Sequence, residues 1–180
     1  MSIRTYASVL LASFCILVAS AQAPAWQPAP GHTQIPIWPN GVPGGTHPNA
    51  AAEIDTTTAK DNLIAGKPLI RLGNVSSPTI TFYAPKNAKS DTPAIVVFPG
   101  GGYHILAYDL EGTEVCDWLN SIGVTGVLLK YRVPIRAGQK GYEAPLQDAQ
   151  RAISLVRYQD RKSTRLNSSH STSSRMPSSA

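Results

Sequence analysis

Residues Ala94 to Tyr103 read AIVVFPGGGY. An apolar, β-branched stretch, Ala94 to Phe98, breaks at Pro99 into Gly100, Gly101 and Gly102. The apolar run has the character of a strand buried on both faces of a sheet. The glycines put a loop at its end whose backbone can come close to a ligand. Without a Cβ in the way, peptide N–H groups can turn inward. A tight turn needing positive φ is the plain structural alternative, but one glycine would satisfy it and there are three in a row. A phosphate-binding loop is excluded, because the Gly-Lys-Ser/Thr ending is missing.

Other side chains could carry chemistry, and most have a blander reading. His104 follows the glycines and has the side chain for acid–base work. His32 and His47 lie in an irregular stretch with no second ligand at metal spacing, so no metal site is expected. Asp109 and Glu111 read as charges at the positive N-terminal end of a helix, and Asp148 as a carboxylate in the first turns of another. Cys116 reads as a buried apolar filler.

The two ends stand apart from the body. Arg4, then the apolar run Ala7 to Val18, then Ala19-Ser20-Ala21 form the pattern of a secretory signal peptide. Cleavage after Ala21 is preferred, since cleavage after Ala23 would leave Pro24 at the new terminus. The run is too short for an ordinary membrane span, and an uncleaved anchor is the alternative. The expectation is a secreted or periplasmic protein, with 1–21 as leader and no stable membrane insertion after cleavage. Cys15 leaves with the peptide, so Cys116 has no internal partner. From Lys162 the chain reads KSTRLNSSHSTSSRMPSSA, serine-rich and without apolar period. It resembles a translated sequencing-adapter or vector peptide, with a genuine disordered tail as the alternative. The expected division is therefore 1–21 leader, 22–161 a truncated domain, and 162–180 a disordered non-native tail.

That division settles the charge. Arg4, Arg161, Lys162, Arg165 and Arg175 belong to the ends or their junction, and without them 11 basic residues face 11 acidic ones. The net charge of +5 is thus no sign of nucleic acid or of an anionic membrane as partner.

The elements that must position the glycine run follow from periodicity. Pro24 to Asn49, dense in Pro and Gly, cannot form a long helix or a central strand, and Trp38 is its candidate anchor. Asn74 to Pro78 is a turn between a strand at about Pro68 to Gly73 and one at Thr79 to Tyr83. Glu111 to Ile122 is predicted helical, with Val115, Leu119 and Ile122 on one face and Trp118 beside them. Val124 to Tyr131 is a second buried strand. Ala144 to Arg157 is a second helix, with Leu146, Ala149, Ile153 and Val156 on one face. Strand, helix, strand, helix builds a right-handed parallel unit.

From Ile37 to Arg157 the order of short stretches resembles the N-terminal half of a secreted bacterial α/β-hydrolase. Within that fold it is similar to the acetyl-xylan-esterase-like carbohydrate esterases. The matching stretches are Trp38 to Gly44, Asn74 to Thr81, Pro99 to Tyr103, Glu111-Gly112, Lys130 to Pro134 and Pro145 to Ala149. The resemblance implies an incomplete α/β-hydrolase fold: the N-terminal strands and first two helices of a mostly parallel, doubly wound sheet. In that fold the strand ending at Phe98 lies between the strand of Val124 to Tyr131 and the next strand in sequence. The resemblance also implies that Gly101 and Gly102 supply backbone donors to an oxyanion. Tyr103 would flank the acyl pocket, or pack as a buried tyrosine.

Family members carry a G-x-S-x-G elbow, then an acid, then a histidine. No G-x-S-x-G occurs in this sequence. Ser154 lacks the elbow, and Ser168 and His170 lie in the tail. His104 comes too early in the chain to be the base. No catalytic triad residue is therefore assigned, and no cofactor is expected. The implied function is that of a fragment of a serine carboxylic-ester hydrolase acting on acetylated plant polysaccharide such as xylan, inactive by itself. The alternatives are a prolyl-peptidase-like hydrolase fragment, and a non-catalytic secreted binding protein on a hydrolase-like scaffold.

Overall fold

The computed structural model describes residues 25–45, 51–134 and 138–172, with backbone alone for 160–172. The leader at 1–21, His47 and the last part of the tail, 173–180, lie outside the described residues.

The main sheet is built around β7, Thr125–Lys130. Its Val127, Leu128 and Leu129 are fully buried, each worth about 1.5–3 kcal/mol in apolar area removed from water. On one side β7 pairs antiparallel with β4, Thr79–Tyr83, with Thr79 opposite Lys130 and Tyr83 opposite Gly126. On the other it pairs in parallel with β5, Ala94–Val97, with Ile95 opposite Gly126 and Val97 opposite Leu128. The short strand β1, Thr33–Pro36, adds antiparallel to β4 and makes the order β1-β4-β7-β5. The Pro-rich N-terminal stretch thus supplies an edge strand, where a proline takes nothing from the ladder. A smaller antiparallel sheet orders β2 (Ile54–Asp55), β3 (Arg71–Gly73) and β6 (Leu106–Ala107) as β2-β3-β6.

Several expectations are corrected here. The main sheet is mixed rather than mostly parallel. Among the described residues only β5 and β7 pair in parallel, and a crossover helix joins them, the connection a parallel pair needs. The turn at Asn74 to Pro78 does connect two strands, but they enter different sheets, and Val75 bridges to Val133 instead. The first of those strands is also shorter than predicted. β5 is not buried on both faces: Ile95 is 48% exposed and Phe98 43%. Among the described residues β5 has a neighbour on one side only, and nothing covers its outer half.

The predicted helix over Glu111 to Ile122 divides into a π-helical turn, Asp109–Thr113, and α1, Glu114–Ser121. Cys116 and Leu119 of α1 are buried, while Trp118 and Ile122 are exposed. Ile122 falls past the last helical residue, and Trp118 lies two positions from Cys116, off the buried face. Gly126 receives α1 closely, since a Cβ there would lie 2.8 Å from Cys116 Sγ. The second helix, α2, runs Glu143–Thr172, beyond the Arg157 read from periodicity. Between Pro145, tolerated in the first turn, and Pro177 the chain has no Gly or Pro to stop it. Its buried line is Ala144, Asp148 and Ala152 rather than the apolar stripe, and Leu146 is half exposed. The carboxylate of Asp148, not the leucine, is what α2 turns inward.

Candidate functional site

The glycine run sits where the C-terminal end of β5 meets the N-terminal end of α2. It borders a cleft of about 560 Å³. Phe98 and Tyr103 form one part of the wall, Tyr142, Pro145, Leu146 and Ala149 the other, and Tyr131 also lines it.

The carbonyls of Pro99, Gly100 and Gly101 turn into the protein. Pro99 O accepts from Tyr131 Oη. Gly100 O accepts from the N–H of Ala107 at 2.9 Å. Gly101 O accepts from the N–H groups of His104 at 3.1 Å and Ile105 at 3.3 Å. In a trans peptide the N–H points opposite to the C=O. The carbonyls of Gly100 and Gly101 therefore send the N–H groups of Gly101 and Gly102 the other way. Neither N–H donates to any group among the described residues. Two adjacent unengaged donors on the border of an apolar cleft are suited to a small anionic oxygen.

Each glycine of the run has its own reason. Gly101 has φ +137° and Gly102 φ +61°, conformations costly to residues with a Cβ. A Cβ on Gly101 would also fall on Ile105 O, far inside van der Waals contact. Gly100 has no such φ. There a Cβ would fall on Glu111 Oε2, the acceptor of the Gly100 N–H at 2.7 Å. Tyr103 continues the left-handed course at φ +65°. It is 42% exposed and borders the cleft, so it is not the buried packing tyrosine of the alternative reading.

The remaining candidates are not brought to this site as a catalytic set. His104 is exposed on the loop. His32 lies against the Tyr83 ring, with centroids 4.2 Å apart, on the β1–β4 side. Ser154 Oγ donates back to Gln150 O at 2.8 Å within α2. Ser168 and His170 fall where the backbone alone is described. Cys116 is a free, buried thiol. Burial, with Asp117 nearby, pushes its pKa up to about 12, so it stays protonated and is no nucleophile. Burial also pushes Tyr131 up to about 12, with Tyr103 and Glu111 adding to it, which keeps its hydroxyl a neutral donor to Pro99.

Two groups escaped the sequence reading. One is Glu111, taken for a helix-end charge and found bonded to the loop. The other is a buried ion pair, Arg132 with Asp148, at 2.9 Å and with both side chains almost fully enclosed. Asp148 also accepts from Trp38 Nε1 at 2.7 Å and from the Arg132 N–H at 3.0 Å. Arg132 further donates to Pro43 O, Ala144 O and Gln147 Oε1. Arg151 reaches Ile37 O at 3.0 Å and lies over the Trp38 ring. The network fastens the N-terminal stretch, the end of β7 and the first turns of α2, and so fixes the wall that Pro145, Leu146 and Ala149 give the cleft. Trp38 is the anchor its surroundings suggested.

No family model matches the chain. Over 93 residues it is 31% identical to an acetylxylan esterase of Xylanibacter ruminicola, a stretch that makes up 52% of this chain and 18% of that protein. The chain therefore spans less than a fifth of the relative. In structure it is similar to the acetyl ester-xyloside bifunctional hydrolase of Caldicellulosiruptor lactoaceticus, at 34% identity and a TM-score of 0.44, covering 72% of this chain and 37% of the other. The class defined at this point is a mixed α/β chain. More particularly, its sequence has weak homology to a carbohydrate esterase.

Proposed function

We propose that this chain carries the oxyanion-binding half of a secreted serine carboxylic-ester hydrolase that removes acetyl groups from plant polysaccharide such as xylan. The observation that carries the reading is the pair of unengaged N–H groups at Gly101 and Gly102, set by inward-turned carbonyls on the border of the cleft. Ester cleavage by a serine puts a negative charge on the former carbonyl oxygen. Donors already in place stabilise it without reorganisation, and one such donor is worth about a hundred- to a thousand-fold in turnover. Tyr103 and Phe98 line the same cleft and suit the acyl group and its sugar. Further support comes from the strand order β1-β4-β7-β5, with the parallel pair at one edge, and from the match to an acetylxylan esterase.

In this reading the nucleophile, acid and base are supplied by chain outside residues 1–180. The base takes the serine proton as the serine oxygen bonds to the acyl carbon; the bond from that carbon to the sugar oxygen then breaks, and the sugar leaves as an alcohol with the same proton. Water, giving a proton to the base, then attacks the acyl carbon, and acetate leaves as the serine oxygen takes the proton back. Residues 1–21 act as the leader, 22–161 form the domain portion, and 162–180 are foreign to it.

The test compares two proteins on 4-nitrophenyl acetate and on acetylated xylan. One is this chain, and the other is extended by the genomic sequence that follows the codon for Arg161. The chain alone should stay at background, because loss of a nucleophile costs about a million-fold. The extended protein should release acetate and be labelled by a serine-directed phosphonate. A genomic continuation without a G-x-S-x-G stretch, or phosphonate-sensitive turnover by the chain alone, contradicts the proposal.

A further inference from the structure

We infer that Glu111 and Tyr131 are positioning residues that grip a single peptide unit, Pro99–Gly100, at both ends and thereby aim the donors that follow it. The polar atoms of that unit are Pro99 O and Gly100 N. Tyr131 Oη donates to the first, and Glu111 Oε2 accepts from the second at 2.7 Å. A peptide is a rigid plane with its C=O and N–H on opposite sides. Held at one end it can still swing, and held at both it has one orientation. It is the fixed start of the two units that follow, whose own carbonyls are held by the N–H groups of Ala107, His104 and Ile105 and whose N–H groups are the unengaged pair. The functional meaning rests on the oxyanion reading above, while the geometry of the grip does not.

Three further observations tie Glu111 to this task. Gly100 is the member of the run whose backbone does not call for glycine, and the space a Cβ would need is taken by the Glu111 carboxylate. A side chain at Gly100 would have to push the Glu111 carboxylate off the loop. Second, Glu111 is carried on the π-helical turn Asp109–Thr113, which is itself tied down. Asp109 Oδ1 accepts from the N–H groups of Ile70 and Leu110, each at 2.9 Å. Gly112 of the same turn packs so closely that a Cβ there would lie 3.0 Å from Leu128 Cδ1 and 3.3 Å from Pro99 Cγ. The turn therefore lies directly against the residue whose peptide it grips. Third, no ion pair among the described residues engages Glu111, although Lys67, Arg71, Lys130 and Arg132 each have an acidic partner. Its carboxylate is instead engaged by the N–H of Gly100 in the loop.

The test uses the 180-residue chain labelled with [15N]glycine, at a concentration where sedimentation shows one species. Two quantities are read by NMR. One is hydrogen exchange of the Gly100 amide. The other is the response of the Gly101 and Gly102 amides to added acetate, an anionic-oxygen probe. In Glu111→Ala the Gly100 amide should exchange roughly tenfold faster, and the acetate response should weaken about threefold, as expected for losing one charge-assisted bond at an exposed side chain. Glu111→Gln keeps a carbonyl acceptor and should restore most of both. Tyr131→Phe, which frees the other end of the unit, should weaken the acetate response in a folded protein. Glu114→Ala, an exposed carboxylate beside Lys67, should move neither. Unchanged Gly100 exchange in Glu111→Ala overturns the grip, as does an equal loss in the Gln and Ala variants. A wild-type chain with a protected Gly100 amide and no response to acetate overturns the oxyanion reading instead, and leaves the grip standing.

Discussion

At the scale of residues, the three glycines answer to different constraints, and substitution should separate them. Gly101→Ala places a methyl group on Ile105 O at a φ of +137°. Strain of that kind costs about 1–3 kcal/mol before the clash is counted. Gly102→Ala meets nothing nearer than His104 Cδ2 at 3.8 Å, so only its φ of +61° opposes it, at about 1–2 kcal/mol. Urea unfolding should rank the wild type above Gly102→Ala and Gly102→Ala above Gly101→Ala. Equal midpoints for the two variants would show that the loop relaxes around the clash. Cys116 offers a second test. Burial raises its folded pKa from 9.0 to about 12, so above pH 9 the unfolded state loses a proton that the folded state keeps. Stability is then full below pH 9 and falls between about 9 and 12, by up to about 1.4 kcal/mol per pH unit from this one group. Tyr131 adds the same sign of slope from pH 10 to about 12. Cys116→Ala should flatten the pH 9–10 part of the curve, and an unchanged slope there would remove the thiol from the account.

Among the elements, those whose neighbours come from the same pattern could be read from the chain. β4 alternates Ile80 and Phe82 against Thr79, Thr81 and Tyr83, and the structure keeps its bounds unchanged. The apolar run of β7 needed only to be central. β5 has the same composition and stands at the edge, because its burial depends on which strands lie beside it. The glycine run was legible for the same local reason as β4: a break of three glycines after a strand is a property of consecutive residues. Glu111 and the Arg132–Asp148 pair were not, since Glu111 lies 11 positions past Gly100 and Asp148 lies 110 past Trp38. Nothing local distinguishes a carboxylate favoured at a helix start from one sealed beneath it. Asp148→Ala should therefore be severe. It leaves the Arg132 guanidinium buried without its counter-charge and Trp38 Nε1 without its acceptor, a loss of about 3–5 kcal/mol. Chemical denaturation gives that number, and Trp fluorescence reports release of the N-terminal stretch. The double variant Arg132→Met with Asp148→Leu should return part of the stability, since removing both charges leaves no unpaired ion. A single variant within 1 kcal/mol of wild type would mean that water reaches the pair.

For the whole molecule, the balance of covered and uncovered apolar surface decides how the chain behaves in solution. One side of β7 is closed by β4 and β1. The other carries β5, whose far edge has no partner among the described residues. Ile95 and Phe98 are exposed at this edge, and Leu146 and Tyr142 are exposed on the α2 side of the same cleft. An apolar strand edge with free N–H and C=O groups is a template for another strand, and natural edges are blunted by charge, proline or cover. Ala94 to Val97 has none of the first two within it. The chain should therefore self-associate through β5, with a weight-average mass in sedimentation equilibrium that rises with concentration. Ile95→Lys puts an ammonium on the open strand at a position already 48% exposed, so it costs little in the fold while a second strand would have to bury the charge. That variant should sediment as a monomer over the range where the wild type associates, with its far-UV spectrum unchanged. Wild-type chain that stays monomeric throughout, with the β5 amides slow to exchange, would show that this edge is already covered.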